Sequence, residues 1–99
     1  MELKYTPRAV FEIEMDGKRP MQDMLAEFSM KTILIFVKRG LGVNQDEAEK
    51  EIEKYLSEGH DTTELYLYIM EKLQGAGFLP KQIDLKKTRE EMNKGMQSI

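Results

Sequence analysis

The strongest constraint on how this chain can fold is its punctuation. Residues that cap helices and residues that stop them alternate along it at intervals of a few turns. Thr6 stands directly before Pro7. A threonine hydroxyl accepts from a free backbone N–H of the first turn, typically worth about 1 kcal/mol. Proline suits the first helical position, because the N–H it lacks would have no partner there. Val10, Phe11, Ile13 and Glu14 follow at helical spacing, and Asp16-Gly17 closes the segment. Gly17 is the residue expected to take the left-handed conformation there. Pro20 restarts the chain, and Met21, Met24, Leu25 and Phe28 recur on one helical face, with Ser29 placed to break or cap. Asn44-Gln45-Asp46-Glu47 and Asp61-Thr62-Thr63-Glu64 both read as capping boxes. The helices they open carry apolar stripes over Ala48, Ile52, Tyr55 and Leu56 and over Leu65, Tyr66, Ile69, Met70 and Leu73. Gly59 ends the first of these helices, and Gly75 and Gly77 end the second.

Between these segments runs Ile33-Leu34-Ile35-Phe36-Val37. It is β-branched enough for a buried strand. Yet Met30 on one side and Leu41 on the other stay in helical phase with it, and no second strong strand offers a partner. The spacing therefore predicts a helix. Because it is apolar all round, it should be the central, most buried one, with Gly40 and Gly42 as its stops. Residues 2–5 read as a short extended segment. The expected fold is all-α with at most a short N-terminal strand, a small bundle of four to five helices over residues 1–80. A polar, basic tail, frayed helix or disordered, is expected over 81–99.

Composition narrows the function. A chain of 99 residues is one domain and can bury a core without staples. It has no cysteine, which removes disulfides and thiolate metal sites. A net charge of −3 argues against nucleic acid as a partner, since a general binder needs surplus Lys and Arg on phosphates. The apolar run falls far short of the ~20 residues that span a bilayer, and MELKYTPR lacks the apolar core of a signal peptide. No membrane partner is expected.

No catalytic, cofactor or metal site is legible. His60 is the only histidine and sits in a loop beside Glu58 and Asp61. A general base is conceivable, but no Ser or Cys nucleophile stands in a recognisable setting and no second histidine supports a metal. A solvated loop histidine is the simpler reading. The acids from Asp46 to Glu58 lack the alternating oxygen ligands and internal glycine of a calcium loop. Gly40-Leu41-Gly42 and Gly75-Ala76-Gly77 lack the strand before and the Lys-Ser/Thr after that a phosphate loop needs. Helices over 45–58 and 62–76 joined by a tight turn suggest a small transcriptional regulator as an alternative. A recognition helix, however, needs Arg, Lys, Asn or Gln near its start, and this one begins Thr62-Thr63-Glu64. What remains is surface. The chain has eight methionines and no tryptophan, and methionine serves both as gap-filler and as adaptable binding surface. Met15, Met21 and Met24 around the first loop, with Phe78 and Leu79 after the last helix, are the candidate partner-binding or self-association residues. Two readings stay open: they close the core over the helix ends, or they form an exposed apolar patch.

One stretch adds to this. Tyr5-Thr6-Pro7-Arg8-Ala9-Val10-Phe11-Glu12-Ile13-Glu14, then Gly17-Lys18, then Asp23-Met24-Leu25, resembles the start of the tail assembly chaperones of long non-contractile-tailed bacteriophages and related prophages. These are small, mainly helical, non-enzymatic proteins without cofactors. The resemblance implies binding to the tape measure protein in the cytoplasm of the bacterial host, keeping that long helical chain soluble. It also implies recruitment of tail tube subunits, often through a frameshifted longer form, and absence from the finished virion. With the adaptable apolar surface, it makes a homo-oligomer the expected state. Under this reading the elbow from Gly17 to Pro20 exposes Met15, Met21 and Met24 on one rim.

Overall fold

The computed structural model describes residues 1–27, 29–81 and 85. Among the described residues five helices follow one another: α1 (Pro7–Gly17), α2 (Met21–Ala26), α3 (Met30–Leu41), α4 (Gln45–Ser57) and α5 (Thr62–Gly75). The fold is all-α. Residues 33–37 are helical, inside α3. Apart from Lys81 and Leu85, the polar segment 81–99 lies outside the described residues.

The caps act as their chemistry dictates. Thr6 Oγ1 accepts from Ala9 N–H at 3.1 Å, Ser29 Oγ from Thr32 N–H at 3.2 Å, Asn44 Oδ1 from Glu47 N–H at 2.9 Å and Asp61 Oδ1 from Glu64 N–H at 2.8 Å. Each supplies one of the acceptors that a helix start lacks. α2 starts at Pro20 without a side-chain cap of its own. Glu14 of α1 supplies one from outside, its Oε2 accepting from Met21 N–H at 2.7 Å. The elbow between α1 and α2 is thereby fixed.

The stops divide differently from expectation. α1 finishes on Lys18 at φ 57°, not on Gly17, which stays helical. The Met24 thioether lies over Gly17: a Cβ there would stand 2.5 Å from Met24 Sδ and Cε, which would have to move aside. At the end of α3, Gly42 takes φ 69°, and Val43 N–H donates back to the Lys38 carbonyl. At the end of α5, Gly77 takes φ 91°, and Phe78 N–H donates to the Leu73 carbonyl. Both are Schellman endings. In each Gly-x-Gly pair only the second glycine makes the turn.

α3 is the axis of the molecule. It packs against α1, α4 and α5, and α1 packs in turn against α2. Ile33, Phe36 and Val37 are fully buried on it, meeting Ile13 of α1, Ala48 of α4, and Leu65, Ile69 and Leu73 of α5. α3 is central, as its apolar run predicts, but it is not covered on every side. Leu34 and Ile35 are only half-covered and Met30 is exposed, because none of the described helices packs over that flank. The extended N-terminal segment lies along another flank as a strap without strand pairing. Lys4 N–H donates to the Gly40 carbonyl at 2.9 Å, and Tyr5 Oη donates to the Phe36 carbonyl at 2.9 Å. The Tyr5 ring meets Phe36 edge-on at 6.2 Å. Burial pushes the Tyr5 phenol far above its usual range, so it stays a donor. Gly40 makes this approach possible: a Cβ there would stand 2.9 Å from the Tyr5 ring and hydroxyl.

Candidate functional site

Among the described residues the large exposed apolar side chains stand in two places. The first is a groove of about 460 Å³ between α3 and α4. Leu34, Ile52 and Leu56 form its floor and Met30 stands at its mouth. Lys31 rises on the α3 rim, and Glu49 and Glu53 on the α4 rim, one helical turn apart. Among the described residues no ion pair joins Lys31 to either acid, so opposite charges face each other across an open apolar trough. The local cause is the half-covered flank of α3 lying beside the narrow stripe of α4. Ile52 turns inward to the core, while Leu56 stays half-exposed.

The second place is a ridge on α1. The helix turns Val10 and Ile13 to the core and leaves Phe11 64% and Met15 74% exposed. Those two residues stand one turn apart on one face. Arg8 extends the same face toward the N-terminus, and exposed Lys18 follows just beyond the C-terminus. Met30, at 51%, completes the set of large apolar side chains that stand exposed among the described residues.

The residues singled out from the sequence divide sharply. Met15 is on the surface. Met21 at 6%, Met24 at 2% and Leu79 at 8% exposure are core, and the expected exposed rim around Met21 and Met24 does not exist. The short α2 folds back under α1 and points both methionines inward, Met24 onto Gly17. Leu79 is carried inward by the Schellman turn at Gly77, and Gln74 Nε2 holds the exit by donating to the Pro80 carbonyl at 3.0 Å. Phe78 is half-buried against the core. Sequence reasoning missed Phe11, Met30 and the groove. The signal for Phe11 was present: beside Val10 and one turn before Met15, it lies off the face that Val10 and Ile13 share.

His60 is not a free loop residue. Its ring stacks on Tyr55 of α4 at 4.1 Å and 14°, and its Nδ1 lies 3.0 Å from Glu64 Oε2 of α5. It ties the two helices across their turn. Desolvation, with the Glu64 carboxylate adding to it, pushes the Tyr55 phenol up. At the same turn Thr63 is buried and Glu64 is engaged by His60. Among the described residues no cluster of His, Cys, Asp or Glu could hold a metal ion, and no helix is long and apolar enough to cross a membrane. A second hollow of about 480 Å³ is lined by Met1, Leu41 and Val43 together with Glu2, Glu47, Lys50 and Glu51. Its mixed charge interrupts any continuous apolar floor.

Comparison with protein-family models, with curated proteins and with solved structures finds no match to this chain. The reading of function therefore rests on the two surfaces.

Proposed function

We propose that this chain is a non-enzymatic tail assembly chaperone of a long non-contractile-tailed phage or prophage. In this reading it works in the bacterial cytoplasm, binds the helical tape measure protein and helps to recruit tail tube subunits. The observation that carries the reading is the α3–α4 groove. An apolar trough between two helices, with charged rims and a methionine at its mouth, accepts the apolar face of an amphipathic helix by repacking. A holdase for such a client needs that surface and no active site. The resemblance, carried by the motif residues between Tyr5 and Leu25 within roughly the first forty, supports this client, and the groove supports the means.

Co-expression with a tape-measure-type coiled-coil protein tests it. The client should move from the insoluble to the soluble fraction and co-purify with the chain. Met30→Glu, at an exposed position, should leave the fold intact and abolish co-purification. Client solubility that does not change on co-expression overturns the reading.

A further inference from the structure

The ridge on α1 and the groove between α3 and α4 share no residue, yet their chemistry is complementary. The ridge is apolar at Phe11 and Met15 with a cation at each end, Lys18 and Arg8, the latter exposed and paired on one side with Glu12 at 3.1 Å. The groove is apolar at its floor with two acids, Glu49 and Glu53, on one rim and Lys31 on the other. We propose that the α1 ridge of one copy docks head to tail into the α3–α4 groove of a second copy.

Three observations carry this. The exposed large apolar side chains of the described residues, Phe11, Met15 and Met30, all become covered in one contact. Such side chains left bare on a small chain mark an interaction site. Second, the charges match across the contact. The cationic ends of the ridge go to the Glu49–Glu53 rim, and Lys31 repels them from the other. Among the described residues Glu53 makes no ion pair and Glu49 meets Gln45 at 3.4 Å, so both carboxylates are available. Third, a helix laid into an interhelical groove is a recurring mode of recognition, with anchors one turn apart, as Phe11 and Met15 are. Ridge and groove are different patches, so the contact is heterologous. It generates a ring if the rotation closes and an open string of copies if it does not.

The inference does not depend on what the client is. A client helix and a neighbour's α1 would contend for one groove, so self-assembly would keep it covered until a client arrives.

Two double variants test it in the absence of any client. Phe11→Ser with Met15→Ser removes the ridge and keeps the groove. Glu49→Lys with Glu53→Lys reverses the rim and keeps the ridge. All four positions are exposed, and circular dichroism checks that both variants fold. In sedimentation velocity, wild-type protein should grow in mass with concentration, and each variant alone should be at least tenfold weaker in association. An equimolar mixture should then form a dimer of one copy of each, and stop there. The intact ridge of the second variant meets the intact groove of the first, while the remaining surfaces are disabled. A monomeric wild type, a mixture that stays monomeric, or a rim variant that still self-associates as well as wild type overturns the proposal. The last outcome would place the contact at ridge against ridge.

Discussion

Arg39 is the most heavily engaged charged residue of the described chain. Its Nε and Nη2 donate to the two carboxylate oxygens of Asp16 at 2.7 and 2.9 Å, and its Nη1 donates to Glu12 Oε2 at 2.7 Å. One guanidinium thus clamps α3 to the last two turns of α1. Bidentate, charge-assisted bonds are the strong kind, and partial exposure of all three side chains moderates them. Arg39→Ala should cost about 1–2 kcal/mol in urea melts. Arg39→Lys should recover less than half of it, because an ammonium cannot reproduce the fork. The hydrogen bond from Arg39 holds the Asp16 carboxyl below its usual value of 3.8. The unfolded chain, with the higher value, takes up the proton first as pH falls. The clamp therefore contributes fully above that value and is lost as pH falls through the lower folded one. The gap between wild type and Arg39→Ala should be constant near neutrality and shrink below pH 3.8. A gap independent of pH down to complete acid unfolding would contradict the clamp. Neither partner was legible as a pair in the sequence, since 23 residues separate them and nothing local links them.

At the scale of elements, the positions of all five helices could be read from caps and periodicity. Side-chain oxygens at Thr6, Asn44 and Asp61 act within four residues of themselves, and local chemistry of that kind is written locally. What could not be read is the use of each glycine. Gly40 and Gly42 look alike in sequence, yet Gly42 turns the chain and Gly40 admits the strap. Their substitutions should therefore fail for different reasons. Gly42→Ala strains a positive φ with open space around it and should cost about 1 kcal/mol. Gly40→Ala gains helix propensity but drives a methyl into the Tyr5 ring, and overpacking of this kind costs about 1–3 kcal/mol. Limited proteolysis separates the two, with cleavage near residues 1–6 rising for Gly40→Ala alone. Equal N-terminal cleavage in both would mean the strap does not depend on Gly40.

At the scale of the whole molecule, the described residues leave Phe11, Met15 and Met30 outside the core, where the sequence left open whether such side chains close the core or form a patch. Which ones stay outside was decided by packing between distant segments. Methionines at 15, 21 and 24 look equivalent along the chain. The fold-back of α2 buries two of them and leaves the third bare. Met24→Ser should destabilise by about 2–4 kcal/mol, losing a buried side chain and placing a hydroxyl in its cavity. Met15→Ser should stay within about 0.5 kcal/mol of wild type in the same thermal or urea melt. A marginal effect of Met24→Ser would show that α2 is not part of the core. The groove was hidden for the same reason. Its floor draws Leu34 from α3 and Ile52 and Leu56 from α4, and no window along the chain contains both sets.

The strap reaches further than α3, for Tyr68 Oη of α5 donates to the Met1 carbonyl at 2.7 Å, across 67 positions. Closing so long a loop is entropically slow, whereas each helix can nucleate from its own neighbours. The order of events follows: the bundle assembles first, and the amino-terminal ribbon settles onto it afterwards and lifts away first. Deuterium should therefore enter at the Lys4 amide well before it reaches Val37, through an excursion that leaves the five helices standing.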